Sequence, residues 1–397
     1  MTKLKKTFKT EINFSEEQRI QFHQSVGVCR WLYNQYIAKN KEQYKLYVEG
    51  KTDKKFITAN DFDKHINNEV KVLEDFAWIN VCGSKARKKS IVNAETAFKR
   101  FFKGLSKFPR FKKKKNQDVS LYFPKNNKGD WTVERHRVKI PTFGWVKLKE
   151  LGYIPTQMKV ISGTISQKAG RYYVSVLIEV ENNQIRHIST HTDGLGIDVG
   201  IKEFAVVSNG EVFKNVNKNA RIKKLKKKLK REQRRLSRKY ESVKVNSKKQ
   251  EGRATRQNIQ KQVRKVQKLH QQLTNIRTDF IHQTVSSIVK RNPSYITIED
   301  LNVRGMMKNR HLSKAIAEQK FYAFRELLES QCKANNIELR LVDRWYPSSK
   351  LCSCCGSYHK NLKLSDRVYH CNSCGLRIAR DLNASINLKN AKKYKIA

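Results

Sequence analysis

The spacing of apolar positions changes along the chain, and each change marks a candidate domain boundary. Ser15-Glu16-Glu17-Gln18 reads as a capping box, where serine and glutamine side chains satisfy free N–H groups at a helix start. Phe22, Val26, Cys29, Leu32, Tyr33 and Tyr36 then recur at helical spacing. Weaker helical signals run through 60–74 and 84–102. The helical block ends at Phe108-Pro109-Arg110-Phe111 and the basic run 112–115. From 119 to 181 the pattern shortens to β segments at 121–123, 137–140, 145–148, 160–166 and 172–180, separated by Gly, Asn or Pro turns. Residues 162–178 predict a hairpin turning at Lys168-Ala169-Gly170, and the group predicts a small β-barrel. Residues 182–192 are polar and read as a linker.

A third block opens at Asp193 with a strand, a turn at Asp198 and a second strand. Two long helices follow. Twelve of the nineteen residues 221–239 are Lys or Arg, with Ile222, Leu225, Leu229 and Leu236 along one side. Ile259, Val263, Val266, Leu273, Ile276 and Phe280 repeat at near-heptad spacing, which predicts an antiparallel helical pair. A strand at 295–298, a helix around 315–335 and a strand at 338–342 come next. No solenoid-type repeat is present.

A chain of 397 residues predicts two to four domains. Lys plus Arg number 84 against 35 Asp plus Glu, a formal net charge of +49. That charge repels itself in a compact state and calls for a polyanion, and 10% aromatic residues offer stacking surfaces for bases. No apolar run approaches the roughly 18–20 residues of a membrane span. Met1 to Thr10 is basic but lacks the apolar core of a signal peptide. An intracellular protein is expected, with its eight cysteines reduced or metal-bound.

Cys352-x2-Cys355 and Cys371-x2-Cys374, fifteen residues apart, fit the two knuckles of a zinc ribbon, with Gly356 and Gly375 permitting the tight turns. Cys354 competes with Cys352 or Cys355, and His359 and His370 are weaker competitors. Four reduced cysteines in a loop is the bland alternative. A closed four-sulfur site is structural, which points to folding or nucleic-acid contact and away from catalysis.

Three carboxylates stand in apolar settings: Asp198 in Gly196-Ile197-Asp198-Val199-Gly200, Glu299 closing Tyr295-Ile296-Thr297-Ile298, and Asp381 where a helix begins. Each has an ordinary reading, as a turn aspartate, a cap shared with Asp300, or a helix N-terminal acid. A carboxylate ending a buried strand is costly to desolvate without a cation. Three converging carboxylates suit Mg²⁺, and two such ions can hydrolyse a phosphodiester. On helix 221–239 only Glu232 opposes twelve cations, so a phosphate backbone is the better partner for that face than solvent alone. Lys223, Lys224, Lys227, Arg231, Arg234 and Arg235 are its candidate contacts, and Arg110, Phe111 and Lys112 form a second candidate surface. His282, on an apolar helix, reads as a core or polar-network residue.

With these residues assembled, the chain resembles the TnpB family of insertion-sequence RNA-guided nucleases, relatives of the compact type V CRISPR effectors. The resemblance runs over nearly the whole length, through Leu32-Tyr33-Asn34, 97–102 with Pro109-Arg110-Phe111-Lys112, 196–200, 298–303 with Gly305-Met306, Tyr346-Pro347-Ser348-Ser349-Lys350 and 380–384. Ala379 and Ser385 depart from the usual residues, and neither removes a metal ligand. The resemblance implies an α/β plus β-barrel architecture. A wedge barrel (1–14 and 111–192) would surround a helical recognition lobe (15–110). An RNase-H-like RuvC nuclease with a basic helical insertion (193–345, completed by 378–397) would hold an inserted zinc ribbon (346–377) that binds target nucleic acid. It implies Asp198, Glu299 and Asp381 as catalytic ligands of two Mg²⁺ and one structural Zn²⁺ on the four cysteines. It also implies a guide RNA, double- and single-stranded target DNA, and a monomer without membrane contact. The competing classes are an RNA-independent transposase or recombinase nuclease, and a guided repressor or zinc-ribbon DNA-binding protein. The second predicts a damaged triad, whereas this one is intact.

Overall fold

The computed structural model of the chain describes residues 3–114, 119–127, 129–181, 193–248, 257–363 and 365–397. Lys115 and the expected linker 182–192 lie outside them. Two units divide the chain, Met1–Asn182 and Asn183–Ala397.

In the first unit, strand β1 (Lys3–Asn13) leads into helix α1 (Glu16–Val48). Helices α2 (Ala59–His65) and α3 (Ser84–Phe102) follow. Then come β2 (Val119–Pro124), β3 (Thr132–Val133), β4 (Arg137–Ile140), β5 (Gly144–Leu148), β6 (Lys159–Lys168) and β7 (Arg171–Glu181). The Ser15 capping box forms as the sequence predicts. The Gln18 amide also donates to Phe143 O at 2.9 Å and Trp145 O at 3.1 Å, fixing the helix start to the sheet. Phe22, Leu32, Tyr36 and Ile37 bury one face of α1, and Ile91, Ala94 and Phe98 the corresponding face of α3. The helix expected at 60–74 is shorter. After α2 the backbone widens into a π-helical turn at Ile66–Val70, and a separate 3-10 segment covers Glu74–Val81.

The strands form one antiparallel sheet in the order β2-β6-β7-β1-β5-β4-β3. The hairpin β6–β7 turns at Ala169-Gly170 with φ of 50° and 79°, the left-handed pair that matches strand twist in a two-residue turn. Among the described residues no ladder joins the edge strands β2 and β3, so the sheet is open where a barrel was expected.

The second unit begins with β8 (Leu195–Val199), β9 (Glu203–Val207) and β10 (Val212–Lys214). The long helices α4 (Ala220–Lys248) and α5 (Gln257–Val289) pack together as expected. They are followed by β11 (Tyr295–Glu299), α6 (Val303–Met306), α7 (Ser313–Gln319), α8 (Phe321–Ala334) and β12 (Glu338–Val342). The chain then runs through β13 (Val368–His370), β14 (Arg377–Ala379), α9 (Arg380–Lys389) and β15 (Lys395–Ile396). The single helix expected at 315–335 is broken at Lys320, whose φ of 56° is left-handed. The flanking side chains are held elsewhere: Gln319 donates to Ile201 O, and Lys320 Nζ to the Thr278 hydroxyl at 2.7 Å.

The six-stranded sheet runs β10-β9-β8-β11-β12-β15, with β8, β11 and β12 mutually parallel. Side chains alternate across a strand. Ile197, Ile296, Ile298, Leu339 and Leu341 therefore share one face, in a core with Ile281, Val285, Phe324 and Leu328 of α5 and α8. The opposite face carries Gly196, Asp198, Thr297, Glu299 and Val342, and Val342 packs with Leu388 of α9. The sheet is thus a middle layer between two helical layers, a standard solution for burying both faces.

Candidate functional site

The parallel ladder between β8 and β11 pairs Leu195 with Ile296, Gly196 with Thr297 and Ile197 with Ile298. One residue further on stand Asp198 and Glu299, at the carboxyl ends of adjacent strands and on the same face. Carboxyl ends of parallel strands are where open α/β sheets bind ligands. Asp381 arrives on the first turn of α9, which crosses that face of β8. The crossing is close because residue 196 is glycine. A β-carbon there would stand 1.9 Å from Ser385 O and 2.4 Å from Lys389 N, both backbone atoms. Gly196→Ala should therefore displace α9, costing about 3 kcal/mol or more in chemical denaturation of the second unit. A cost below ~1 kcal/mol would show that α9 has room to move.

The charges of Glu299 and Asp381 bear on Asp198. The Asp198 carboxyl is pushed up to about 8, first by burial and then by Glu299 and Asp381, against a smaller lowering by Arg380. Glu299 is raised by burial and drawn back by a hydrogen bond from the Ser348 hydroxyl at 2.6 Å. The Arg380 guanidinium donates to Asp381 Oδ1 at 3.2 and 3.3 Å. No described residue hydrogen-bonds the Asp198 carboxylate. Hard carboxylate oxygens, with Asp198 unpartnered, are the donor type a hard divalent cation takes, although among the described residues only the four cysteines lie close enough together to form a ready ion-holding group. Asp300 is not part of the set, since it pairs with Arg325. Asn302, rather than either acid, caps the short helix α6.

The four cysteines also converge. The sulfurs of Cys352, Cys355, Cys371 and Cys374 all lie within 4.8 Å of one another. The closest pairs, Cys352–Cys374 and Cys355–Cys371, are 3.6 and 3.5 Å apart. Tetrahedral zinc with bonds of about 2.3 Å needs sulfur separations near ~3.8 Å, so the cluster could hold such a metal. Each knuckle closes the same way: Gly356 N donates to Cys352 O and Gly375 N to Cys371 O, both at 2.9 Å. Both glycines are left-handed, with φ of 76° and 73°. Cys354 and His370 are exposed and His359 is partly buried, and none of the three belongs to the cluster. Ser357 went unnoticed in the sequence. Its hydroxyl lies 3.0 Å from the Cys371 sulfur and 3.3 Å from that of Cys355; it lowers both thiols, and together with the backbone N–H groups of Cys374 and Ser373 it brings Cys371 to about 5.

On α4, Lys223, Lys224, Lys227, Arg231, Arg234 and Arg235 are all exposed. Glu232, the one acid among residues 221–239, is buried against α5, where Gln262 donates to its carboxylate at 2.8 Å. Arg235 reaches the same carboxylate at 3.0 Å and Lys226 pairs with Glu318 of α7, while the six named cations keep exposed side chains. In the first unit Arg110, Phe111 and Lys112 are exposed. Asn34 holds the Lys112 backbone through both its amide atoms, at 2.8 and 3.0 Å, and the Lys112 ammonium lies 3.9 Å from the centre of the Tyr33 ring. The Tyr33-Asn34 pair therefore fastens this basic segment to α1. His282 lies on α5 but is exposed, so it is not the core residue its apolar helix suggested.

Comparison with known proteins finds three family models along the chain. The OrfB_IS605 model, described as "Probable transposase", matches residues 175–310, and a "Cas12f1-like, TNB domain" matches 321–388. A "Helix-turn-helix domain" of the same IS605 group matches 1–49, although here those residues form strand β1 and the single helix α1. A "Putative RNA-guided DNA endonuclease" of Streptomyces pristinaespiralis is 29% identical over 98% of this chain and 89% of its own length. "Putative RNA-guided DNA endonuclease InsQ" of Escherichia coli K12 is 29% identical over 96% and 90%. Among solved structures, Cas12f1 in a complex with sgRNA and target DNA matches 99% of this chain and 100% of its own, with a TM-score of 0.57 at 14% identity, a likeness of fold.

Proposed function

The chain belongs to the TnpB family, and from that membership we propose that it is an RNA-guided DNA endonuclease of a transposable element. The observation that carries the reading is the placement of Asp198 and Glu299 at neighbouring parallel strand ends, with Asp381 delivered above them by α9. Relatives named as RNA-guided DNA endonucleases support it. In this reading Asp198, Glu299 and Asp381 hold two Mg²⁺ at a RuvC-like centre, and the four cysteines hold one Zn²⁺. The bound Mg²⁺ would supply an activated water and neutralise the leaving oxygen of the phosphodiester. Ser348 keeps one Glu299 oxygen oriented, leaving the other to bind. Arg380 must release Asp381 or share it, since the two are paired at 3.2 Å.

The assignment extends to the domains. Residues 1–14 and 111–192 form the wedge, 15–110 the recognition lobe, 193–345 with 378–397 the nuclease, and 346–377 the target-binding ribbon. Guide RNA and target DNA would lie along the exposed cations of α4 and the segment 110–112, with base pairing rather than side chains reading most of the target sequence. The setting is a bacterial or archaeal cytoplasm, and the working form a monomer. Sequencing the RNA that copurifies with the chain, followed by cleavage of DNA matching its variable end, tests the reading. A discrete RNA and Mg²⁺-dependent, sequence-matched cutting are expected. Cutting that ignores the RNA sequence would favour the RNA-independent nuclease.

The charge gives a second test. Neutralising Lys223, Lys224, Lys227, Arg231, Arg234 and Arg235 together should weaken nucleic-acid binding and flatten its salt dependence. Each lost duplex phosphate contact should lower the log–log slope by roughly one unit, and each single-strand contact by less. An unchanged slope would make this helix face a solvated surface.

A further inference from the structure

Three polar side chains connect the cysteine ribbon to the carboxylate site. Asn383 and Asn387, four residues apart on one face of α9, are almost fully buried, at 0% and 7% exposure. Their amide groups converge on a single acceptor, Leu351 O, at 2.6 and 2.7 Å. Asn383 Oδ1 also accepts from Ser353 N at 2.9 Å. The two asparagines thereby grip the peptide groups on either side of Cys352. Asn387 donates as well to Ser348 O at 2.8 Å, and the hydroxyl of that same serine holds Glu299 at 2.6 Å. At the start of α9, Arg380 N donates to Arg367 O at 2.9 Å, joining the Asp381 turn to the far side of the ribbon.

A buried helix face is ordinarily filled by apolar residues. Asparagine is a poor helix former, and an unpaired buried amide costs about 1–3 kcal/mol. Here every hydrogen bond described for the two amides is directed at the first knuckle or at Ser348, and none at the sheet below. Accepting these residues on α9 is explained if their bonds do something that packing alone would not.

We propose that Ser348, Asn383 and Asn387 are positioning residues that make the geometry of Glu299 and Asp381 depend on a closed ribbon. The inference rests on the carboxylate reading above and deepens it. A closed knuckle fixes Leu351 and Ser353, which fix the rotation and height of α9 and with it Asp381. Through Asn387 it fixes Ser348, which orients Glu299. Opening the ribbon frees two of the three ligands while Asp198 stays on its strand.

Partners of this kind, one bond removed from a metal ligand, alter metal affinity by about 10- to 100-fold when removed. The test uses the RNA-free chain and Mn²⁺ as a spectroscopic substitute for Mg²⁺, with binding read by electron paramagnetic resonance against Asp198→Asn as background. Zinc content is read in parallel. Ser348→Ala and Asn387→Ala should each weaken Mn²⁺ binding by about tenfold. They should raise the Mn²⁺ concentration for half-maximal cleavage by a similar factor and keep their zinc. Ser348→Thr, which restores the hydroxyl, should recover most of the affinity. Ser348→Ala is the milder change and serves if Asn387→Ala does not fold. Unchanged Mn²⁺ affinity in Ser348→Ala with zinc retained would reduce the three residues to packing and overturn the inference, leaving the nuclease reading intact. A wild-type chain that binds no Mn²⁺ above the Asp198→Asn background would instead overturn the carboxylate reading itself.

Discussion

Asp198→Asn should eliminate guided DNA cleavage and, at the same time, raise the melting temperature of the metal-free protein. The first effect follows from removing a charged oxygen from the centre of the carboxylate set. Losing several kcal/mol of transition-state stabilisation corresponds to about 10³-fold or more in rate. RNA binding should stay within about twofold, because the substitution leaves the exposed cations of α4 untouched. Glu299→Gln and Asp381→Asn should share the loss of cleavage. Retained Mg²⁺-dependent cutting by any one of the three would remove that residue from the site.

The gain in stability follows from the sign of the Asp198 shift. Its folded-state value, about 8, lies above the ordinary 3.8, so the folded chain holds a proton that the unfolded chain releases. Such a group favours folding at low pH, and its contribution is lost as pH rises from about 4 toward 8. The wild type should therefore fall progressively behind Asp198→Asn across that window and match it near pH 4. Water reaching the half-buried carboxylate screens part of the effect, leaving about 1–2 kcal/mol at pH 8, or a few degrees. Added Mg²⁺ should reverse the order, stabilising the wild type more at pH 8 than at pH 6 and the variant hardly at all. Thermal scans over pH 4–8 with and without Mg²⁺ measure all of this. A wild type more stable than the variant without metal would mean Asp198 already has a compensating partner.

Asp198 and Glu299 were legible because each is an acid ending an otherwise apolar strand, a placement with few inexpensive explanations. Their register was not legible. Residue 198 meets 299 through a parallel pairing that spans α4 and α5, and nothing local encodes such a pairing. The close crossing at Gly196 was hidden for a similar reason, since a glycine before a turn is also expected for conformational freedom. Ser357 and Asn387 escaped because short polar residues in turns and on helices usually face water, and Ser348 and Asn383 stood only inside the motifs at 346–350 and 380–384, with no contact of their own to read. The one available signal was the i, i+4 spacing of Asn383 and Asn387 on a short helix with few charges. Helix ends fared worst where distant side chains decide them, as at Lys320. The β segments were found individually, but whether their sheet closes depends on edge pairing that the pattern of single strands does not contain.

Cys371→Ser should abolish both metal binding by the ribbon and DNA cleavage, whereas Cys354→Ser should affect neither. The ribbon has almost no apolar core of its own: among the described residues Cys352, Tyr369 and Cys371 form its buried cluster, packed against Leu362, Leu376 and Ile378. The Tyr369 hydroxyl lies within hydrogen-bonding reach of Lys350 O and Ser357 O, at 3.3 and 3.4 Å, so this small centre is organised around the sulfurs. A module of that size draws its folding free energy from the metal, about 10–16 kcal/mol in comparable zinc-binding peptides. Losing one of four thiolates leaves an incomplete shell, and residues 346–377 should become the first site of limited proteolysis. Cleavage should fail with them, because Ser348 and the two asparagine grips depend on the first knuckle. Cys354 lies beside the cluster but outside it, and His359 is held by its backbone N–H to Lys350 O and by an edge contact with Tyr369. His359→Ala and Cys354→Ser should therefore retain about one zinc per chain by elemental analysis. Zinc that survives Cys371→Ser, or disappears in Cys354→Ser, would reassign the ligands. Full cleavage by a zinc-free Cys371→Ser protein would separate the ribbon from the chemistry altogether.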